Sequence, residues 1–400
     1  MTRMRSTGVR AGALRRTNLA LVLELLRRGG PASRSELGAA TGLTRSAISG
    51  LVGELAELGL VREERPLPDG RPGRPSPVVR VDSSHFATLG IELGVDDLSA
   101  ALVGLDGQMI RVVRVPRARD RVPLEATIAD VADIVHRLGC SGPVVDGRRL
   151  LGIGVAVPAV IREPGGIVVT APNMGWVEVD LAPLLRAALG IDLPVYVGND
   201  GDLGALAESR FGAAVDAQTM VYVAGEVGVG GGLVVDGQRV TGHRGFAGEI
   251  GHIPVDPQGV PCACGSYGCL ETVIGERALL QRAGLDPDGG SRQVTKLLAA
   301  ADAGDPVVLD ALAVEGRWLA AGVTALINIF DPEIVVLGAL LGRILPYVQR
   351  SMDDEFERRR FRRVERNVPV VRAAFGTESS LVGAGELAFA PALADPASVG

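Results

Sequence analysis

The sequence predicts an α/β protein made of a small helical head and a larger body of two similar lobes. Of its 400 residues, 47% are hydrophobic and 22% are charged, which is typical of a globular chain with a sizeable core. From residue 87 onward, short apolar strands alternate with helical patterns, and this order recurs after residue 215. Residues 1–80 carry 14 arginines against 7 acidic residues, whereas the whole chain has a net charge of −6. This asymmetry separates a basic head from an acidic body.

The head contains three predicted helices. Residues 17–28 have apolar side chains at helical spacing and are followed by two glycines and a proline. Ser33 or Ser35 can cap a short second helix, which a glycine turn ends. Thr44 can cap a third helix that extends to about residue 58 and carries one apolar stripe. Helix, glycine turn and helix is the pattern of a helix-turn-helix motif.

The start of the third helix contains the candidate DNA-reading residues. If this helix enters a major groove, its polar N-terminal residues face the bases, and these are Thr44, Arg45, Ser46 and Ser49. Arg45 can donate two parallel hydrogen bonds to guanine, whereas the hydroxyl groups suit phosphates. An ordinary three-helix bundle with a polar outer face has the same helix spacing, so this pattern alone leaves both interpretations open.

A basic segment follows the third helix. Short apolar runs near residue 60 and at 78–81 flank a stretch rich in arginine and proline, as in the hairpin wing of a winged helix. Arg71 and Arg74 in this stretch can follow a phosphate backbone or enter a narrow minor groove. A plain domain linker is the alternative. Together with the basic charge, the segment favours double-stranded DNA as a partner and a DNA-binding domain at residues 1–80.

The body begins with three predicted strands and a turn at Asp106-Gly107. Helical patterns at 123–138 and 181–189 follow, with apolar strands at 151–157 and 195–197. Because a similar order recurs later in the chain, we expect two lobes with a cleft between them. The predicted bounds are 81–198 for the first lobe, 199–377 for the second, and 378–393 for a helix that returns to the first.

A histidine and three cysteines form a candidate metal site. The four potential ligands are His252, Cys262, Cys264 and Cys269. Three thiolates and one imidazole complete a tetrahedral shell, and the glycines at 265 and 268 allow the tight turns that a small cage needs. A filled shell leaves no position for substrate water, so we predict a structural zinc ion. The alternative is three reduced cysteines in a loop beside an unrelated histidine. Cys140 is expected to be a packed core thiol.

The same region resembles a known family. Residues 248–252 and 262–271 are similar to the E-x-G-H and C-x-C-G-x-x-G-C-x-E signatures of the ROK family (repressors, open reading frames, kinases). Residues 172–176 and 198–200 also match, and the resemblance covers nearly the whole chain. It implies a winged helix-turn-helix followed by a two-lobed domain of the actin and sugar-kinase-like, ribonuclease-H-like fold.

The resemblance also implies a sugar site, with a monosaccharide or a sugar phosphate as effector. The implied sugar-binding residues are Asn173, Asn199, Asp200, Glu249, His252 and Glu271. Carboxylates and amides suit this task because they exchange hydrogen bonds with adjacent hydroxyl groups. Asp200 has the position of the general base in kinases of the family. His252 would contact both the metal and the sugar.

The segments that bind ATP in kinases of the family are altered here. The first phosphate loop reads Glu-Leu-Gly-Val-Asp-Asp at 92–97 where the family has D-x-G-G-T-K, and the second has Glu226 and Val227 where the family has Gly-Thr. Carboxylates that face a triphosphate repel it. The adenosine segment at 335–339 stays close to the family pattern. We therefore expect no bound ATP and no catalytic residue.

These observations predict a sugar-responsive transcriptional regulator, in the family's usual form a repressor of carbohydrate-metabolism genes. A homodimer or larger homo-oligomer is expected because a palindromic operator requires two heads. The chain has no apolar run near the ~20 residues of a membrane span, no signal peptide and no disulfide framework, so a cytoplasmic location without a membrane partner is expected. An active sugar kinase with an added DNA-binding domain is the alternative, and a purely structural DNA-binding protein is a third hypothesis.

Overall fold

The computed structural model describes residues 11–64, 77–117, 122–359 and 368–400. The elements of the head are α1 (Ala11–Gly29), β1 (Ala32–Ser33), α2 (Arg34–Thr41), α3 (Arg45–Glu57), β2 (Val61–Glu64) and β3 (Val78–Val81). Ser33 begins α2 in a capping box with Glu36, and the Thr44 hydroxyl accepts a hydrogen bond from the Ala47 N–H at the start of α3. The helix-turn-helix prediction is confirmed, although α1 begins earlier than predicted.

The wing is a three-stranded antiparallel sheet in the order β1-β3-β2. Arg62 of β2 lies opposite Arg80 of β3, and Ala32 of β1 lies opposite Val79 of β3. The sequence did not predict β1, since a strand of two residues has no periodicity. Arg71 and Arg74 lie outside the described residues, so the DNA contacts of these two arginines remain predictions.

The first lobe is built around a six-stranded sheet whose central strands are buried. Its elements are β4 (Phe86–Leu93), β5 (Asp97–Gly104), β6 (Met109–Pro116), α4 (Leu124–Arg137), β7 (Val144–Val145), β8 (Arg148–Val157), β9 (Val160–Arg162), β10 (Ile167–Ala171), β11 (Trp176–Val179), α5 (Leu181–Leu189) and β12 (Val195–Asn199). The main sheet has the order β12-β8-β4-β5-β6, with β7 paired to β8. Cys140 is buried in the core of this lobe, as predicted. A second sheet, β9 to β11, was not predicted because its strands are very short.

The second lobe repeats the α/β pattern. Its elements are α6 (Asp200–Phe211), β13 (Met220–Gly225), β14 (Val229–Val235), β15 (Gln238–Arg239), a 3-10 turn (Ile250–His252), α7 (Glu271–Ile274), α8 (Glu276–Arg282), α9 (Gly290–Asp302), α10 (Pro306–Phe330), β16 (Ile334–Gly338), α11 (Ala339–Arg359) and β17 (Val370–Arg372). The sheet has the order β15-β14-β13-β16-β17. The two-lobed α/β fold is therefore confirmed.

Helix α10 is the longest apolar segment of the second lobe. By length and composition alone, this helix could cross a membrane. Its inward face packs against α11 and buries Leu312, Leu319 and Val323. The fully buried carboxylate of Glu315 is paired with Arg282 of α8 at 2.5 Å. These contacts are those of a core helix.

Helix α12 (Ser379–Ala394) lies against both lobes. It packs on β4 and β8 of the first lobe and on α6 of the second. The contacts are close because glycines line them: a Cβ atom at Gly90 or Gly154 would overlap the backbone of α12, and one at Gly383 would overlap the Leu203 carbonyl of α6. Because of this close packing, a movement of either lobe also affects α12.

Candidate functional site

The start of α6 holds two of the predicted sugar-binding residues in defined positions. Asn199 caps the helix, since its Oδ1 accepts a hydrogen bond from the Asp202 N–H at 3.0 Å and its Nδ2 donates to the Ala159 carbonyl at 3.0 Å. Asp200 Oδ1 accepts a hydrogen bond from the Gly201 N–H at 2.8 Å. Because β12 ends at Asn199, both side chains lie at the carboxyl edge of the parallel strands, where α/β proteins commonly bind ligands.

Two carboxyl groups at this edge influence one another. Burial, together with a smaller contribution from the charge of Glu249, raises the pKa of Asp200 to about 6. Burial also raises the pKa of Glu249, while the nearby His252 lowers it. The structure thus brings Glu249 to the start of α6 although 49 residues separate it from Asp200 in the chain. Such a pair of acceptors is suited to adjacent hydroxyl groups of a sugar.

His252 and Glu271 connect this edge to the cysteine segment. His252 Nε2 lies 3.9 Å from Glu249 Oε2, and His252 Nδ1 lies 3.8 Å from Glu271 Oε1. Glu271 Oε1 accepts a hydrogen bond from the Cys262 thiol at 3.0 Å, and its Oε2 accepts one from the Val229 N–H at 3.4 Å. Glu249, His252 and Glu271 therefore form one chain of contacts with the cysteine segment. Asp200 is related to this chain through the charge of Glu249, which contributes to its raised pKa.

Asn173 stands apart from this cluster. It lies in the turn between β10 and β11 with an exposed side chain. Among the described residues, no hydrogen bond or ion pair joins it to Asp200 or Glu249. Its predicted contact with sugar therefore remains a prediction.

Sequence reasoning missed an ion network beside α6. Arg239 of β15 donates from Nη2 to Glu163 Oε1 at 2.9 Å, and its Nη1 lies 3.5 Å from Asp202 Oδ2. Glu163 follows β9 of the first lobe, so the arginine links the two lobes next to the predicted sugar-binding residues. Burial raises the pKa of Asp202 to about 7. No local sequence pattern relates these three residues, since their pairing depends on the packing of the lobes.

The four predicted metal ligands lie together. The ligand atoms of His252, Cys262, Cys264 and Cys269 are all within 4.8 Å of one another. Cys262 Sγ lies 3.6 Å from His252 Nδ1, and Cys264 Sγ lies 3.7 Å from Cys269 Sγ. Gly265 and Gly268 have φ angles of 90° and 64°, which favour glycine, and a Cβ at Gly268 would overlap the Asp256 carbonyl. The cluster can hold a metal ion with a complete set of protein ligands.

Parts of all three segments that the family resemblance assigns to ATP binding line one cleft of about 580 Å³. Six carboxylate side chains face it: Glu92, Asp96, Asp97, Glu226, Glu276 and Glu378. Burial, together with a smaller contribution from the charge of Asp97, raises the pKa of Glu92 to about 7. Burial and the charge of Glu92 also raise the pKa of Glu226. Acidic side chains thus occupy the end of the cleft where the family resemblance places phosphates.

Three arginines also line this cleft, and sequence reasoning did not identify them. Arg114 lies on β6, close to Asp97 at 3.4 Å and to Glu378 at 3.8 Å, so it balances part of the negative charge. Arg343 of α11 and Arg372 of β17 line the cleft from the side of the second lobe. Their positions in the cleft follow from the sheet order, which the sequence does not specify.

The predicted DNA-reading residues lie at the N-terminus of α3. Arg45 and Ser46 have exposed side chains, while Thr44 is used as the helix cap. Ser49 accepts a hydrogen bond from Arg34 Nη1 at 2.8 Å, and Arg34 also pairs with Glu63 in the wing. Arg34 was not predicted, yet it connects α3 to the wing. Arg45 and Ser46 are therefore the residues of this set that are most open to DNA.

Comparisons with known proteins agree with this architecture. Residues 88–390 match the ROK family, and residues 16–72 match the MarR family. The xylose repressor of Bacillus subtilis (strain 168) is 29% identical over 370 residues, which cover 92% of this chain and 94% of the repressor. A crystal structure of a ROK family transcriptional regulator, described as a homologue of the E. coli MLC protein, matches with a TM-score of 0.75 at 27% identity and covers 96% of this chain and 97% of its own.

A kinase matches a smaller part of the chain. The ROK family glucokinase from Streptomyces griseus, solved in complex with glucose and AMPPNP, has a TM-score of 0.66 at 27% identity. The match covers 98% of the kinase but 75% of this chain. The kinase therefore aligns over nearly its whole length and still leaves a quarter of this chain unmatched, whereas the regulator aligns with almost all of it.

Proposed function

The chain belongs to the ROK family, and we propose that it is a sugar-responsive transcriptional repressor that binds an operator through its head and a sugar through its body. The observation that carries the proposal is a contrast within the body. Groups suited to sugar hydroxyls are assembled around Asp200, while acidic side chains line the cleft at the phosphate end. Relatives that cover both the head and the body are named as repressors or transcriptional regulators.

The effector we favour is a neutral monosaccharide. Asp200, Glu249 and Glu271 bring three carboxyl groups to the predicted sugar site, and this negative charge disfavours a sugar phosphate. D-xylose is the first candidate because the relatives include a xylose repressor, and D-glucose is the second because a related kinase was solved with it. Asn199 and Asp200 would hold two neighbouring hydroxyls, with Glu249 and His252 on the facing loop.

The proposed cofactor is one structural zinc ion held by the His252 and Cys262, Cys264, Cys269 ligand set. A zinc ion with four protein ligands stabilises a fold and leaves no position for a reacting water. His252 and Glu271 are both fixed by the cysteine segment, so the ion would hold the loop that faces the sugar. Metal binding and sugar binding are then expected to stabilise the same part of the second lobe.

We place the repressor in the cytoplasm as a homodimer. Two heads would contact half-sites about one helical turn apart, roughly 34–36 Å. Arg45 would read a base, and the wing with Arg71 and Arg74 would follow the DNA backbone. Sugar binding would weaken operator binding. The size of this effect is set by how much more tightly the sugar binds the conformation that has low affinity for DNA.

An operator titration tests this proposal. DNA from upstream of the protein's own gene is titrated at fixed salt with and without D-xylose, D-glucose and other aldoses, and ATP turnover is followed in the same samples. We expect specific binding that one sugar weakens without phosphorylation of that sugar. Operator affinity that no sugar changes would contradict the proposal.

The second candidate is an active sugar kinase with an added DNA-binding head. A specific observation favours it: the pKa of Asp200 is raised to about 6, close to the range of an effective general base at neutral pH. Formation of a sugar phosphate that Asp200→Asn abolishes would support this candidate over the repressor.

A further inference from the structure

The head is attached to the body through Arg27 of α1. Arg27 Nε donates to the Leu105 carbonyl of the first lobe at 2.8 Å. Its Nη1 and Nη2 donate to the two carboxylate oxygens of Glu386 on α12, at 3.0 and 2.5 Å. The Arg27 and Glu386 side chains are 1% and 5% exposed. A bidentate pair that is buried to this degree has a defined orientation as well as a charge balance.

Two aromatic rings also surround this arginine, and its Nη1 lies 3.9 Å from Glu24 Oε2 of α1 itself. The guanidinium carbon lies 5.0 Å from the ring centre of Phe211, the last residue of α6, and 5.9 Å from that of Phe389 on α12. We use the name Arg27 clamp for Arg27 with Leu105, Phe211, Glu386 and Phe389. The clamp joins the head to the first lobe, to α6 and to α12 through one side chain.

Further contacts hold α1 to the end of α6. Arg210 of α6 pairs with Glu24 of α1, and Arg28 Nη2 donates to the Val215 carbonyl at 2.9 Å. The apolar core of the head is continuous with Leu105 and Phe389. The head is therefore packed against the body and is not merely tethered to it.

Helix α6 connects this attachment to the predicted sugar site. It has 12 residues, so it spans about 18 Å, with Asp200 at its first position and Phe211 at its last. A packed helix of this length moves as one body. A displacement of Asp200 on sugar binding therefore reaches Phe211, and α12 follows because its backbone touches α6 at Gly383.

Resting on the proposed function, we infer that Arg27 is the positioning residue that passes sugar binding on to the DNA-binding head. Leu105 belongs to the first lobe, whereas Phe211 moves with α6. When the lobes close, the guanidinium cannot keep both contacts in their present geometry. Helix α1 then changes its orientation, and α3 follows because it shares the head core and the Arg15–Glu54 ion pair with α1.

A buried apolar replacement tests this role without leaving a buried charge. Removing Arg27 alone would strand Glu386, so the informative variant is Arg27→Met combined with Glu386→Leu, which keeps the volume and removes the directional contacts. The matched control is Arg16→Met with Asp395→Leu, which removes an exposed pair that also starts from α1. Operator affinity, D-xylose or D-glucose affinity and melting temperature are measured for each protein.

We expect the Arg27 pair variant to bind both operator and sugar within about threefold of the wild type and to lose most of the sugar-induced release. If sugar weakens operator binding at least fivefold in the wild type, a typical allosteric coupling, the residual effect in this variant should be below twofold. The control variant should retain the wild-type response. If the Arg27 pair variant folds and the sugar still releases it fully from the operator, only the role of the clamp is overturned. If no sugar releases the wild-type protein from the operator, the proposed function is overturned as well.

Discussion

The predicted sugar site around Asp200, here the sugar end, and the acidic cleft, here the phosphate end, differ in the groups that accompany their carboxylates. At the sugar end, Asp200 and Glu271 accept backbone hydrogen bonds, and His252 lies 3.9 Å from Glu249 and 3.8 Å from Glu271. At the phosphate end, Glu92 and Glu226 meet one another and Asp97 in a setting that raises their pKa values. Burial raises pKa values at both ends. The difference is that backbone N–H groups and an imidazole accompany the carboxylates at the sugar end, whereas Ser380 and Arg114 accompany Glu92 at the phosphate end.

The largest expected effect is a gain of stability when the phosphate end is neutralised. Glu92 has a folded pKa of about 7 against an ordinary value of 4.5, so the folded protein loses stability as the pH rises through this window. Glu92→Gln should raise the free energy of unfolding at pH 8 by up to about 3 kcal/mol. The gain should vanish below about pH 4, where the carboxyl group is protonated in both states.

Denaturant unfolding at pH 4 and pH 8 measures this effect. Glu92 faces Asp97 and Arg114 from the neighbouring strands, Asp200 from α6, Glu226 from the β13–β14 turn and Ser380 from α12. Glu378→Gln is the control, since that side chain lines the same cleft but is one-third exposed. A Glu92→Gln protein that is less stable at pH 8 would show that the carboxylate is matched to its surroundings after all.

The next effect concerns the sugar end. Asp200→Asn should raise the dissociation constant of the sugar by about 10- to 100-fold, since a hydrogen bond to a charged group contributes ~1.5–3 kcal/mol. Isothermal titration with the responsive sugar measures it. The control Asp97→Asn changes a carboxylate at the phosphate end and should leave sugar affinity unchanged. Equal losses in both variants would mean that the two ends form one site.

A change in the head should leave both ends of the cleft unaffected. Arg45→Ala should reduce discrimination between operator and mutated operator by ~1–3 kcal/mol, because a bidentate contact to guanine is lost. Competition binding at fixed salt measures this discrimination, and sugar affinity should stay the same. If the variant discriminates as well as the wild type, Arg45 does not read a base.

The smallest expected effect passes through the metal loop. Cys264→Ser should lower bound zinc to well under one ion per chain and weaken sugar binding by about 1 kcal/mol, because His252 and Glu271 lose their fixed position. Elemental analysis and calorimetry measure the two quantities. Cys140→Ala changes a cysteine outside the cluster and should leave the zinc content unaltered. Full zinc content in the Cys264→Ser protein would contradict the assigned ligands.

Much of the fold could be predicted from local patterns. The caps at Ser33 and Thr44 and the three helices of the head follow from residues within one or two turns of each other. The metal ligands were equally accessible, since three of the four lie within eight residues. The sugar-binding set depended on a family resemblance, and the whole set is still a prediction. The second sheet of the first lobe was missed because its strands are too short to show a period.

What the sequence by itself determined is the order of elements, the helix caps, the metal ligand spacing and the reversed charge of the phosphate loops. Only the tertiary structure decided which distant side chains meet. Arg27 and Glu386 are 359 residues apart, and Arg239 joins Glu163 to Asp202 across the two lobes. The physical reason is range: caps and periodicity act within a few residues, whereas a buried ion pair exists only after packed helices and sheets exclude water around it.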